Sequence, residues 1–594
     1  MAHCFPPLQE INKFRVPLEP GERHLLDFLI KNLDDHYEIY VQPFLNGDKP
    51  DIVILKPDAG VLIIEVKDWH LRHYKNPKGG RYPWILIKNN CKIRSPLEQV
   101  HTYKDNLYKL HIDKLFEAKI KNSNFFSVVQ TAVYFHNEST KYSQSFCRES
   151  GYTQILGYDA LNPRFFNHVL QKARLNRPSL LFNKELYESF KIFLQPPEHT
   201  PDLRQEIQYT KRQKELIISR PNTRQKVRGV AGCGKTKVMA ARAVAAYRRT
   251  RKTVLILTFN ITLRNYIRDR ISEVRASFPW SGFEITNYHQ FFKIQCNNYE
   301  MVWEDEDFFE ASDREKFFEP VKDKIERYST ILIDEVQDYK QEWLRLIVNY
   351  FLSEDGEFVV FGDEKQNIYG RQMDDDRFPR IPTVRGQWNQ LKDSFRMETD
   401  LLRVAQEFQK FYFTGRYQLD NDVQPNLCGT SSTLKYYDHQ KIGDEEIVDI
   451  IRDEMLALSI HPNNLVVLAP TNEKIRSLEF LYRQISHEKT THTSETKEEY
   501  ENFSQFKSKL EEIRRGRKLH FWANSGTVKF STIHSFKGWE AHTLILIISD
   551  TRSDEYEGSL NELIYTALTR ARNNLIVIDT TSLYREFFAK FTKK

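Results

Sequence analysis

Gly229-Val230-Ala231-Gly232-Cys233-Gly234-Lys235-Thr236 has the form of a phosphate-binding loop. Its glycines, Gly232 and Gly234 among them, let backbone N–H groups close on a polyphosphate. Lys235 is then placed to reach the β- and γ-phosphates, and the Thr236 hydroxyl to hold Mg²⁺. The Ala-rich segment from Lys237 to Tyr247 reads as a helix whose N-terminus faces the anion. The stretch predicts a site for ATP or GTP.

Downstream, Val254-Leu255-Ile256-Leu257 leads into Thr258-Phe259-Asn260, and Thr330-Ile331-Leu332-Ile333 into Asp334-Glu335-Val336-Gln337-Asp338. A third apolar run, Phe358-Val359-Val360-Phe361, ends in Gly362-Asp363-Glu364-Lys365-Gln366. Continuous apolar runs alternating with helices predict a parallel sheet covered on both faces. Acids at the carboxyl ends of such strands face the nucleotide crevice. Asp334 is expected to hold the Mg²⁺, Glu335 to activate the attacking water, and Gln366 to sense the γ-phosphate. Upstream, Gln213 can clamp adenine through its amide. Around it Arg204, Lys211, Arg212, Lys214, Arg220, Arg224, Lys226 and Arg228 form a basic cluster, either a solvated face or a nucleic-acid contact.

The Asp-Glu-x-Gln-Asp and Gly-Asp-x-x-Gln pair beside the phosphate loop resembles a superfamily 1 helicase of the UvrD/Rep type. The resemblance runs from about 205 to 585. Ser394-Phe395-Arg396 resembles that family's Asn-Tyr-Arg, which implies Phe395 stacking on adenine and Arg396 on the γ-phosphate. Thr532-Ile533-His534-Ser535-Phe536-Lys537-Gly538-Trp539-Glu540 resembles the motif joining DNA to nucleotide, with Glu540 on the nucleotide side and His534 on the DNA side. Tyr565-Thr566-Ala567-Leu568-Thr569-Arg570-Ala571-Arg572 resembles the last motif, which makes Arg570 the arginine finger. Arg396 and Arg570 belong to a second lobe, so they complete the site only when the lobes close. Closure and reopening would make a ratchet along single-stranded DNA, and the resemblance implies 3′→5′ movement. Phe259, Tyr288, His289, Tyr369 and Trp539 are the candidate stacking platforms, at about 1–3 kcal/mol per base. Two positions depart from the family: Asn287-Tyr288-His289 replaces Thr-Phe-His, and Arg371 stands where a stacking Trp is usual.

The N-terminal third carries a second chemistry. Gly21 to Asn32 reads as a helix, followed by strand-like runs at Asp51–Leu55 and Gly60–Lys67 joined by a Pro-Asp-Ala-Gly turn. Strand alternation puts Glu65 and Lys67 on one face, and a hairpin in register brings Asp51 close to both. Two carboxylates can hold a divalent ion that polarises a phosphodiester, and the lysine can position water or stabilise developing charge. Pro50-Asp51 with Glu65-Val66-Lys67 resembles the PD-(D/E)XK nuclease pattern. Glu22, Trp69 and Pro96 to Gln99 resemble its nuclease-related (NERD) branch, which implies Glu22 as a further acidic site residue and Gln99 as an accessory one. A domain that keeps the pattern but only grips DNA is the alternative.

The 594 residues exceed one core, so several domains are expected. Lys plus Arg (87) barely exceed Asp plus Glu (81), which permits nucleic-acid binding without arguing for it. The six cysteines are dispersed, against a zinc or iron–sulfur site and in keeping with a reducing compartment. No apolar run approaches the ~20 residues of a membrane span and the N-terminus lacks a signal-peptide core, so the cytoplasm is expected. The reading is an α/β protein. It has a restriction-endonuclease-like domain at 1–195, a proline-containing linker at 196–209, and RecA-like lobes at 210–383 and 384–594. Small insertions fall at about 290–328 and 485–525, the second turning basic at Lys507, Lys509, Arg514, Arg515, Arg517 and Lys518. ATP with Mg²⁺ in the motor, Mg²⁺ or Mn²⁺ at Asp51 and Glu65, and DNA as partner complete the expectation. The readings left open are a processive motor feeding a nuclease, an ATP-gated nuclease switch, and a motor with a DNA-gripping domain. A role in bacterial DNA repair or anti-phage defence follows from the resemblance.

Overall fold

The computed structural model describes residues 1–594 except 15–16, 44, 149, 196–197, 200–207, 231, 304–315, 367, 369–380, 382, 395–398, 415–416, 418, 420–423, 426–431, 441, 523–524, 550–559 and 593–594. Among the described residues, three six-stranded sheets organise the chain. The first contains β1 (His3–Phe5), β2 (Glu38–Val41), β3 (Ile52–Lys56), β4 (Gly60–Lys67), β5 (Val129–Phe135) and β6 (Thr153–Gly157), in that spatial order. The β3–β4 hairpin pairs Ile52 with Ile64 and Lys56 with Gly60, closing on Asp58 at φ 60°. From β4 onward the neighbours run parallel. Side chains of β4 alternate between two cores, Val61 and Ile63 on one face, Leu62, Ile64 and Val66 on the other. The second face is covered by α1 (Pro20–Asn32), through Leu25, Leu26 and Leu29. The first packs on α2 (Pro96–Asn106), through Leu97 and Val100. A further helix, α3 (Asp113–Lys121), follows α2.

The second sheet comprises β7 (Arg224–Gly229), β8 (Val254–Thr258), β9 (Phe283–Asn287), β10 (Tyr328–Ile333), β11 (Leu352–Gly362) and β12 (Asn389–Leu391). Their spatial order is β9-β8-β10-β11-β7-β12, all parallel. The helix after the phosphate loop, α4 (Lys235–Thr250), is longer at both ends than its alanine run. Next to β9 lies α5 (Tyr288–Asn298). The third sheet comprises β13 (Thr433–Asp438), β14 (Leu465–Ala469), β15 (Thr490–His492), β16 (Val528–Thr532), β17 (Ala541–Ile548) and β18 (Ala571–Asp579), again all parallel. The buried runs predicted as strands are therefore central strands of α/β lobes. No helix among the described residues is long and apolar enough to cross a membrane.

Among the described residues of 485–525 lie β15 and helices that include α6 (Lys507–Leu519). Its basic run is largely paired, Arg514 with Glu495 at 2.6 Å, Arg517 with Glu499 at 2.9 Å and Lys509 with Glu512 at 3.1 Å. The N-terminal sheet unit docks on both lobes. Asn46 bonds the backbone of Ile285 on edge strand β9 in both directions, each at 2.9 Å. On the other side Phe116 of α3 lies against Gly516 of α6, and Lys119 meets Glu512 at 3.1 Å.

Candidate functional sites

The phosphate loop connects β7 to α4, with Gly232 and Gly234 at φ 79° and 82°, a backbone that side-chain-bearing residues avoid. It lines a cleft of about 130 Å³ between the second and third sheets, with Asp334, Glu335, Gln366 and Arg570 on the other walls. The Lys235 ammonium donates to Gly229 O at 2.7 Å and lies 3.6 Å from Asp363. The Thr236 hydroxyl points at Asp334, 3.4 Å away. Burial, reinforced by Glu335, pushes the Asp334 carboxyl up to about 7. A cation beside it would relieve that cost, so Thr236 and Asp334 fit a nucleotide-bound divalent cation. Glu335 adopts φ 51° and accepts from the Gln337 amide.

Arg570, just beyond helix α7 (Leu560–Leu568), crosses the lobe boundary and donates to Gln366 at 2.9 Å. The Gln366 amide in turn donates to Asp363 at 2.8 Å. Lys537 was not singled out by sequence, although it sits inside a quoted motif. Its buried ammonium donates to both Asp338 oxygens at 2.8 and 2.6 Å and to Gln366 O at 2.7 Å. Asn260 adds three side-chain bonds to the backbone of His534, Ser535 and Lys537. The lobes thus meet through charge-assisted contacts converging on the cleft.

Some expected roles need correction. Trp539 is fully buried, donates its indole N–H to Thr262 at 3.1 Å and packs on Tyr266 and Phe521, so it seals the lobe boundary and offers no stacking face. Tyr288 is also buried, stacked on Trp343 at 4.6 Å. Trp343, which the sequence reading missed, forms an aromatic group with Phe259 and His289. The His534 imidazole is partly buried and its pKa falls to about 4 through burial, Lys537 and Lys518. Gln213 lines the cleft, its amide accepting from Thr210 N–H at 3.0 Å and donating to Cys233 O at 3.0 Å. Glu540 also lines the cleft. Tyr369, Phe395 and Arg396 lie outside the described residues.

In the N-terminal unit, Asp51 accepts from the Val66 N–H at 2.6 Å, which fixes it beside β4 as the hairpin register requires. Glu65 and Lys67 share one face, ammonium to carboxylate at 2.9 Å. Glu65 Oε2 is buried without a hydrogen-bond partner. Burial, then the Glu65 and Glu22 charges, hold the Asp51 carboxyl well above the usual carboxylate range. Burial likewise pushes Glu65 up to about 7, although Lys67 opposes it. Crowded, desolvated carboxylates with an orphaned oxygen fit a divalent cation, and Asp51 and Glu65 would hold it. Glu22 accepts from Glu19 N at 2.9 Å and Gln42 at 3.2 Å. Among the described residues no three acidic, His or Cys side chains gather into a metal cage, and the Glu22 charge adds to the rise of Asp51 and Glu65. Gln99 is buried and donates to Tyr103 at 3.3 Å, with its own Oε1 unpartnered. Burial would lower the Lys67 ammonium, but Glu300, Glu65 and Asp51 outweigh it and raise it. Its shortest contact is Glu300 at 2.7 Å, 233 residues away beyond the end of α5. No local pattern marks Glu300 in the sequence.

Residues 18–136 match the family model of the nuclease-related domain (NERD), and residues 213–372 match that of an AAA domain. The chain carries a nuclease-related domain followed by an AAA domain of the kind typical of UvrD/Rep-like helicases. No curated protein matches it. The pairing supports a nuclease plus helicase or ATPase architecture and implies DNA as the substrate.

Proposed function

We propose that the protein is an ATP-driven DNA translocase, moving 3′→5′, coupled to a divalent-metal-dependent deoxyribonuclease that serves bacterial DNA repair or anti-phage defence in the cytoplasm. The domain limits read from the sequence, 1–195, 210–383 and 384–594, are kept except at the lobe boundary, because β12 (Asn389–Leu391) pairs with β7 and carries the first lobe past 383. The observation that carries the reading is the contact of Arg570 with Gln366 across the lobe boundary, 2.9 Å, in the cleft that holds Lys235. A site built from both lobes responds to nucleotide by changing how they meet. In it, Lys235 and Arg570 neutralise γ-phosphate charge and Glu335 orients the attacking water. At the second site Asp51 and Glu65 would hold a divalent cation, and Lys67 would face the scissile phosphate. The cation supplies Lewis-acid polarisation and a more acidic bound water.

Point variants test the assignment. Lys235→Ala abolishes ATP hydrolysis and leaves basal nicking; Lys67→Ala stops cleavage with ATP hydrolysis intact. Loss of both activities in either variant contradicts two separable sites. A second reading, a nuclease gated by ATP without processive unwinding, is favoured by the docking of the nuclease-related domain on both lobes through Asn46 and Phe116. A strand-displacement assay on duplex DNA separates the two.

A further inference from the structure

The cleavage lysine is not shared only with its own domain. The Lys67 ammonium lies 2.9 Å from Glu65 and 2.7 Å from Glu300, a carboxylate delivered by the first motor lobe. Glu300 stands at φ 58°, just past the end of α5, where the Met301 N–H closes on Cys296 O at 2.8 Å. That helix-ending geometry favours glycine or asparagine, so a glutamate there is held at some conformational cost. The turn around it is pinned to the nuclease-related domain. Arg94 N–H donates to Glu300 O at 2.8 Å, Asn298 to Gly47 O at 2.7 Å and Asn297 to Gln99 O at 3.4 Å. The approach of Glu300 to Lys67 is therefore set by a turn that one backbone and two asparagine side-chain hydrogen bonds hold against the nuclease-related domain.

The consequence for a nucleic-acid phosphate is electrostatic. Glu300, Glu65 and Asp51 surround one ammonium, Glu22 adds its charge to the two carboxylates, and Glu300 occupies the contact that a scissile phosphate would need. The other end of the same helix carries Tyr288 and His289, in the motif expected to meet the DNA strand, and Gln290, which accepts from Arg515 of the second lobe. An eleven-residue helix transmits displacement as a rigid rod over ~16 Å.

We propose that Glu300 is an interdomain latch on Lys67, and that movement of α5, driven by strand engagement and lobe closure, withdraws it to permit cleavage. The proposal rests on the nuclease reading of Asp51, Glu65 and Lys67. It is tested in the full-length chain with Mg²⁺ or Mn²⁺ on single-stranded and duplex DNA, with and without ATP. Glu300→Gln and Glu300→Ala are compared with the parent and with Lys67→Ala, and ATP hydrolysis, which Glu300 does not touch, serves as the folding control. The expected result is cleavage without ATP that rises about tenfold to a hundredfold in both Glu300 variants, the worth of one charge-assisted pair. Lys67→Ala stays inactive. If the parent cuts and the Glu300 variants cut no faster, the latch is wrong and the nuclease reading stands. If no protein cuts under any condition, the nuclease reading falls and the latch falls with it.

Discussion

At the residue scale, several groups that govern the molecule are buried charges held by partners distant in sequence. Glu284 on β9 is one: its carboxylate accepts from Tyr328 at 2.6 Å, its other oxygen is buried and unpartnered, and burial pushes it up to about 7. Unfolded glutamates titrate near 4.3, so between about pH 4.3 and 7 the folded chain binds the extra proton. Stability therefore falls as pH rises through that window. Glu284→Gln removes the cost, and its unfolding free energy, measured by denaturation, should exceed the parent's at pH 8 by on the order of 3 kcal/mol, but not at pH 4. An equal difference at both pH values would contradict the burial argument. The same scale shows what sequence could and could not give. Asp51, Glu65 and Lys67 were legible because strand alternation and one hairpin register bring them together. Glu300 was not, because its role depends on two domains meeting.

At the scale of elements, local sequence patterns fix the strands and helices, and side-chain orientation depends on how those elements pack. The phosphate loop, α4 and the apolar parallel strands are local patterns, and each appears in the structure. Trp539 misled because its motif position says that it lies at a nucleotide–DNA junction but not which way its ring turns; the ring turns inward. Trp539→Ala should cost about 3–5 kcal/mol and lower ATP hydrolysis by loosening the lobe boundary, measured by melting and steady-state rates. A variant melting like the parent would return the ring to the surface. Helix α6 gives a second case. A Cβ on Gly516 would come within 1.9 Å of the Phe116 ring, so the helix needs glycine at this docking point. Gly516→Ala should destabilise by about 1–3 kcal/mol even though alanine is the better helix former. An alanine variant more stable than the parent would show that the two surfaces do not meet there.

On the scale of the whole molecule, the nuclease-related domain grips the first lobe through Asn46, Asn298 and Glu300 and the second through Phe116 and Lys119. A change in how the lobes meet must strain or release one of those grips. The central claim is that nucleotide bound between the lobes governs cleavage at a separate site. The most direct measurement is the cleavage rate of end-labelled DNA by the full chain as ATP is titrated, beside Lys235→Ala. At least about a tenfold dependence on ATP is expected in the parent and none in Lys235→Ala. A parent whose cleavage rate is the same with and without ATP would contradict it.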